Sequence, residues 1–191
     1  WQFLQIDVPT HADGNEPDLP AHLPASQYQG LVADGLTYRT IDSALAGSGR
    51  SKMSENVAGW RPDPAKVNVP VSKGAGQYRA IGRMITVARM DRVRSGLEAR
   101  QRALSGAEVM GELQAATRLL GGTPRAIAED PVVVVVSSIA GGSGAGAVID
   151  VCDANRSLGE PWAGESIGFL YAPDVFDYIP QEQRRGVRPN A

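Results

Sequence analysis

A three-layer α/β domain with a mostly parallel sheet is the fold class this sequence predicts, and three observations carry that expectation. The run PVVVVVSSIAGGSGAGAVIDVCD, Pro131 to Asp153, reads as a strand, a glycine-rich turn and a helix. A second strand pattern follows at Ser166-Ile-Gly-Phe-Leu-Tyr171, bounded by turn residues on both sides. Strand, helix and strand in that order form a parallel unit with a right-handed crossover. The third observation is an earlier glycine cluster, Gly74-Ala75-Gly76, that leads directly into a helical pattern.

Successive valines from Val132 to Val136 present no wet face at a period of two residues. They predict a central strand covered on both sides. Gly141, Gly142, Ser143, Gly144, Ala145 and Gly146 then form a turn with no residue larger than serine. Glycine permits positive φ and lets a backbone approach a ligand without a Cβ in the way. Beyond it, Val148, Val151 and Cys152 recur at helical spacing. The turn therefore delivers a helix N terminus, where unpaired N–H groups and the positive end of the dipole suit a phosphate. The alternative is a tight strand-to-helix turn that binds nothing.

With 191 residues, 42% of them hydrophobic and 21% charged, the chain has the composition of one soluble globular domain. No run approaches the roughly 20 apolar residues of a spanning helix, and the N terminus lacks a secretory layout. A cytoplasmic location with no membrane partner is expected. The lone cysteine, Cys152, rules out an internal disulfide, and its place on the apolar stripe predicts a small buried side chain rather than a reactive thiol. A net charge of −2 gives no pull toward nucleic acid, which is not expected as a partner.

Taken in order, Trp1 to Val8 alternate as a strand that stops at Pro9. Trp1 follows no methionine, and Pro189-Asn190-Ala191 reads as the first turn of a helix, so both ends are expected to fall inside a fold. Between Pro9 and Pro70 the composition is that of loop, with a helical candidate at Thr40 to Ala46. His11 and His22 have no metal-ligand spacing and read as surface residues. Trp60, in GWRPDP, reads as a packing anchor. After Gly76, Ile81, Met84, Ile85 and Ala88 share one helical face. The other face carries Arg79, Arg83, Arg89, Arg92, Arg94, Arg100 and Arg102; Asp91 and Glu98 interrupt it and no aromatics are interleaved, which marks a solvated face. Arg79 and Arg83, one turn apart, are placed either to face a terminal phosphate or to stay in solvent. A further helix from Ala107 to Leu120 stops at Gly121-Gly122-Thr123-Pro124.

Three phosphate or nucleophile patterns can be weighed at the second glycine turn. No lysine follows its last glycine, so it is not a P-loop. Gly142-Ser143-Gly144-Ala145-Gly146 is one residue short of the NAD(P) fingerprint of a dinucleotide-binding Rossmann domain, with Asp174 as its ribose acid, and that alternative stays open. Ser143 as the nucleophile of an elbow lacks a histidine after it in the chain.

AGGSGAG, Ala140 to Gly146, resembles the signature loop of the tubulin/FtsZ family, with Ser143 where threonine is usual. Gly74-Ala75-Gly76, with Gly82 and basic Arg83 further into the helix, is similar to the preceding phosphate loop of FtsZ. Trp1 to Pro9 resembles the strand and loop that carry an acid toward magnesium-bound phosphates, which implies Asp7 as the metal-side residue. Ala172 to Ala191 resembles the sugar-binding loop and the helix with a base-contacting asparagine. Pro189-Asn190-Ala191 is similar to the tubulin pattern PYNA, and Phe176-Asp177 to the aromatic-acid pair of FtsZ. The resemblance thus implies Asp174, Phe176, Asp177 and Asn190 at the ribose and base. The segment between the glycine loops is longer than in FtsZ, and the overall look is closest to divergent bacterial tubulin-like proteins.

The fold so implied is a three-layer, Rossmann-like GTP-binding domain of tubulin/FtsZ type. Residues 1–191 would be its middle portion, with a first glycine loop expected before Trp1 and a catalytic loop after Ala191. The implied ligands are GTP or GDP and Mg2+, with the phosphates held by Gly74, Ala75 and Gly76 and by Gly141 to Gly146, and with the Ser143 hydroxyl donating. Hydrolysis would be completed by a neighbouring subunit on self-assembly, so this stretch is expected to supply no catalytic residue. The rival reading is a tubulin-like scaffold or interaction module that does not hydrolyse.

Overall fold

A computed structural model describes residues 1–11, 24–47, 55, 57–67, 70–124 and 130–190. His22 lies outside the described residues. Two pairs of strands form, and both are parallel. β1 (Gln5–Asp7) pairs with β2 (Tyr28–Gly30), Gln5 opposite Tyr28. β3 (Val133–Ser138) pairs with β4 (Ser166–Tyr171), Val133 opposite Ser166 and Ser138 opposite Tyr171. The helices are α1 (Tyr38–Gly47), α2 (Arg79–Ala88), α3 (Met90–Leu104), α4 (Ala107–Leu119), α5 (Gly142–Arg156) and the short α6 (Val187–Asn190). The chain is an α/β fold with parallel strands, as its patterning predicts. β2 had no sequence signal strong enough to lift three residues out of a loop-like stretch.

The described strands make two two-stranded sheets. A hollow of about 240 Å³ lies between them, walled by Leu4, Ile6 of β1, Leu97 of α3, Val135 of β3 and Val148 and Val151 of α5. β3 departs from expectation in a related way. It is not covered on both sides: Val134 and Val136 are 45% and 59% exposed, and every residue of β4 is exposed. α5 packs on β3, and among the described residues no element covers the opposite face. An unbroken valine run marks both faces as apolar without showing which one is packed.

The main core sits between α1, α2 and the ends of the β1–β2 pair. Leu31, Tyr38, Ile41, Val71, Ile81, Met84 and Ile85 are among its fully buried side chains, and Trp60 packs against the cluster as anticipated. Ile81, Met84 and Ile85 form the apolar face of α2, each worth about 1.5–3 kcal/mol on burial. The Tyr38 hydroxyl donates to the Pro62 carbonyl at 2.9 Å, and buried Asp42 is held by Arg61, which together tie down the long connection before the first glycine cluster.

α2 packs most extensively on α5. That approach depends on glycines at the crossing: a Cβ on Gly146 would stand 2.5 Å from the Arg83 amide nitrogen and 2.7 Å from the Arg79 carbonyl oxygen, and one on Gly82 would run into the Gly142 carbonyl. Glycine here lets two backbones touch.

Candidate functional site

The second glycine turn begins where β3 ends. Ile139 N–H donates to the Tyr171 carbonyl at 3.1 Å, and Ala140 N–H to the Ser138 hydroxyl at 3.1 Å, after which the chain turns into α5. Gly141 is the N-cap, extended at φ −81 and ψ 170, with no side-chain cap and no acid in the first turn of the helix. The first N–H groups of a helix have no partner inside it. Gly142 donates its own to the Gly76 carbonyl at 2.8 Å. Those of Ser143 and Gly144 carry the positive end of the dipole, and the first turn of the helix holds no carboxylate to neutralise it. A side chain at Gly141 would meet nothing within 4 Å, so the turn has open space beside it.

The glycines do more than admit a ligand. A Cβ on Gly142 would stand 2.5 Å from the Gly76 carbonyl oxygen and 2.7 Å from that of Ala75; one on Gly144 would stand 2.8 Å from the Ser137 hydroxyl. These two positions are required by contacts inside the protein. Gly141 is the one whose missing side chain leaves room.

The first glycine loop has Gly74 at φ +116 and Gly76 at φ +56, both in the region that favours glycine. Ala75 between them is wholly buried, so its side chain anchors the loop in the core and only its backbone faces the second turn. The Cβ direction of Gly74 points at Pro9, 3.8 Å away, which follows β1. Asp7 ends that strand, and its Oδ1 accepts the Val8 N–H at 2.6 Å. The carboxyl end of β1 therefore adjoins the first loop, and the first loop adjoins the turn after β3. Ligands of open α/β sheets bind at such carboxyl ends.

The C-terminal segment closes on the same place. Gln77, next to Gly76, accepts the Gly186 N–H at 2.6 Å and donates to the Gln183 carbonyl at 2.5 Å. A family model described as "Tubulin like" matches residues 1–191. The chain belongs to the tubulin-like family. No curated protein and no solved structure gives a match.

In this tubulin-like chain the acids placed at the ribose by resemblance already have partners. Arg188 reaches Asp174 at 3.1 Å and Asp177 at 3.5 Å, and Arg184 also bonds Asp177. Phe176 is half-buried on the turn that follows β4, and the Asn190 backbone lies in α6. Asn190's side chain lies outside what the structure describes.

Arg83 is part-exposed, and its guanidinium is committed to partners of its own. Its Nε lies 3.1 Å from Asp150 Oδ2 on α5, and its guanidinium sits 4.6 Å over the Trp60 ring. It joins α2, α5 and the long connection. Arg79 is exposed. Gln77 and the Arg83–Asp150 pair were not visible in the sequence, because the partners are far apart and carry no shared motif.

Cys152 is half-buried, and burial, then the charge of Asp153, push its thiol pKa up, which keeps it protonated near neutrality. His11 is exposed, 3.5 Å from Asp34. No described helix is long and apolar enough to cross a membrane, and no three His, Cys, Asp or Glu side chains gather among the described residues.

Proposed function

We propose that this tubulin-like chain builds the phosphate-facing part of a guanine-nucleotide site, as the middle portion of a larger GTP-binding domain. The observation that carries the reading is the uncapped, acid-free N terminus of α5, with open space at Gly141, abutting the first glycine loop through Gly142 and Gly76. An anion fits there because the donors are backbone N–H groups fixed in advance. Gly141, Ser143, Gly144 and Ala145 would receive one part of the phosphate chain, with Gly142 and Gly146 shaping the turn. Gly74, Ala75 and Gly76 would border the other through their backbone.

Ser143 adds a hydroxyl donor to that set. Asp7 is the acid on the metal side, and Mg2+ would be held by Asp7 together with phosphate oxygens and water. Bound GTP with Mg2+ supplies the phosphoanhydride bond and the neutralising charge. Phe176 would cover the base, Asn190 would read its edge, and Asp174 and Asp177 would turn from Arg188 and Arg184 to the ribose. Hydrolysis would wait for acids of a neighbouring subunit on self-association, which makes the chain a receiving half-site.

A second reading has one observation in its favour. Asp174 and Asp177 already satisfied by Arg184 and Arg188 suit a closed scaffold that assembles without turnover. Titrating the full chain with GTP and Mg2+, then measuring phosphate release at rising protein concentration, separates the two. Release that grows faster than protein concentration supports the assembly-dependent site; binding without release supports the scaffold. No guanine-nucleotide binding at all defeats the first reading.

A further inference from the structure

Gln77 is bonded through both ends of its side-chain amide to backbone near the far end of the chain. Its Oε1 accepts the Gly186 N–H at 2.6 Å while its Nε2 donates to the Gln183 carbonyl at 2.5 Å. One acceptor and one donor on a planar group, each matched by a backbone partner, fix both the distance and the orientation of the bonded segment. The fit leaves no slack: a Cβ on Gly186 would stand 2.6 Å from Gln77 Cβ and 2.9 Å from the Gln77 carbonyl oxygen. Val187, next in sequence, is buried and opens α6, the helix that carries Asn190.

The neighbouring residue makes the other connection. The Gly76 carbonyl accepts the Gly142 N–H, so adjacent residues of the first glycine loop hold the α5 N terminus on one side and the segment leading to Asn190 on the other. We infer that Gln77 is a positioning residue that sets the base preference of the site by holding residues 183–190 against the first glycine loop; this rests on the guanine-nucleotide reading. No smaller or charged side chain reproduces the arrangement. Alanine loses both bonds, and glutamate keeps the acceptor for Gly186 but points carboxylate oxygens at the Gln183 carbonyl.

The test uses the full chain, Gln77→Ala and Gln77→Glu, and three probes with Mg2+: GTP, ATP and inorganic tripolyphosphate. Both variants should bind GTP about tenfold more weakly, while ATP and tripolyphosphate stay within about twofold, so that the GTP-to-ATP ratio collapses. A uniform loss across the three probes would mean that Gln77 only supports the fold, and would overturn the inference. Amide exchange without nucleotide gives a separate readout: Gly186 N–H should exchange at least about tenfold faster in Gln77→Ala. An unchanged Gly186 rate overturns the clamp itself. A parent protein with no preference for GTP over ATP overturns the guanine reading and the specificity role together, while the exchange rate still judges whether Gln77 holds the segment.

Discussion

Gly142 donates its amide hydrogen to the carbonyl of Gly76 at 2.8 Å, and that bond joins two glycine loops that the sequence holds far apart. The bond sets where the N terminus of α5 stands relative to the first loop. It also explains why the second turn tolerates no side chain at its first helical position.

Gly142→Ala and Gly146→Ala are therefore expected to weaken the fold before any ligand is considered. Each new methyl would fall within 2.5 Å of backbone from the facing element, at Gly76 for the first and at Arg83 for the second. Overpacking of this kind costs about 1–3 kcal/mol. Urea unfolding should show a lower midpoint with an unchanged slope. A midpoint equal to that of the parent would mean that α2 and α5 can separate freely.

The Arg83–Asp150 pair should contribute about 1 kcal/mol, because Asp150 is mostly buried while Arg83 remains 40% exposed and is screened by solvent. A double-mutant cycle with Arg83→Met and Asp150→Ala should return a coupling of that size. Trp60→Leu should lower stability further by removing the ring beneath the guanidinium. A coupling of zero would reduce the pair to a surface contact.

Tyr38 gives a pH signature. Burial, then the nearby charge of Asp42, push its phenol from the ordinary 10.0 up to about 12. Between those values the unfolded chain has released the proton and the folded chain has kept it. Stability is then complete below pH 10 and falls as pH rises toward 12, by on the order of 2–3 kcal/mol. Unfolding midpoints measured across that window should drop for the parent and drop less for Tyr38→Phe. Equal slopes for the two proteins would remove Tyr38 as the cause.

The elements with strong patterning were legible in the sequence. The valine run and the glycine turn announced β3 and α5, and Ser166 to Tyr171 announced β4 and its parallel pairing. β2 was not legible, since Tyr28-Gln29-Gly30 becomes a strand only by pairing with β1. Which valines are packed was hidden because all of them are alike. At the site, the two loops were legible and their contact was not: Gly82, Gly142 and Gly146 read as ligand-facing or merely helical, while their spacing to facing backbone is a tertiary fact. Gln77 looked like any residue at a helix start. Asp174 and Asp177 read as open acids because Arg184 and Arg188, which reach them, lie on a later segment whose course the sequence does not fix.

Gly141→Asp is the most direct test of the phosphate site. At an uncapped N-cap in extended conformation, aspartate supplies the missing acceptor for the first-turn N–H groups and complements the dipole, which should raise stability by about 0.5–1 kcal/mol. The same carboxylate would occupy the donors and the space assigned to phosphate. Calorimetric titration of parent and variant with GTP and Mg2+, beside their thermal unfolding, should show a variant that melts higher and no longer binds GTP. A variant that melts higher and binds GTP as the parent does would contradict the placement of the phosphates at the N terminus of α5.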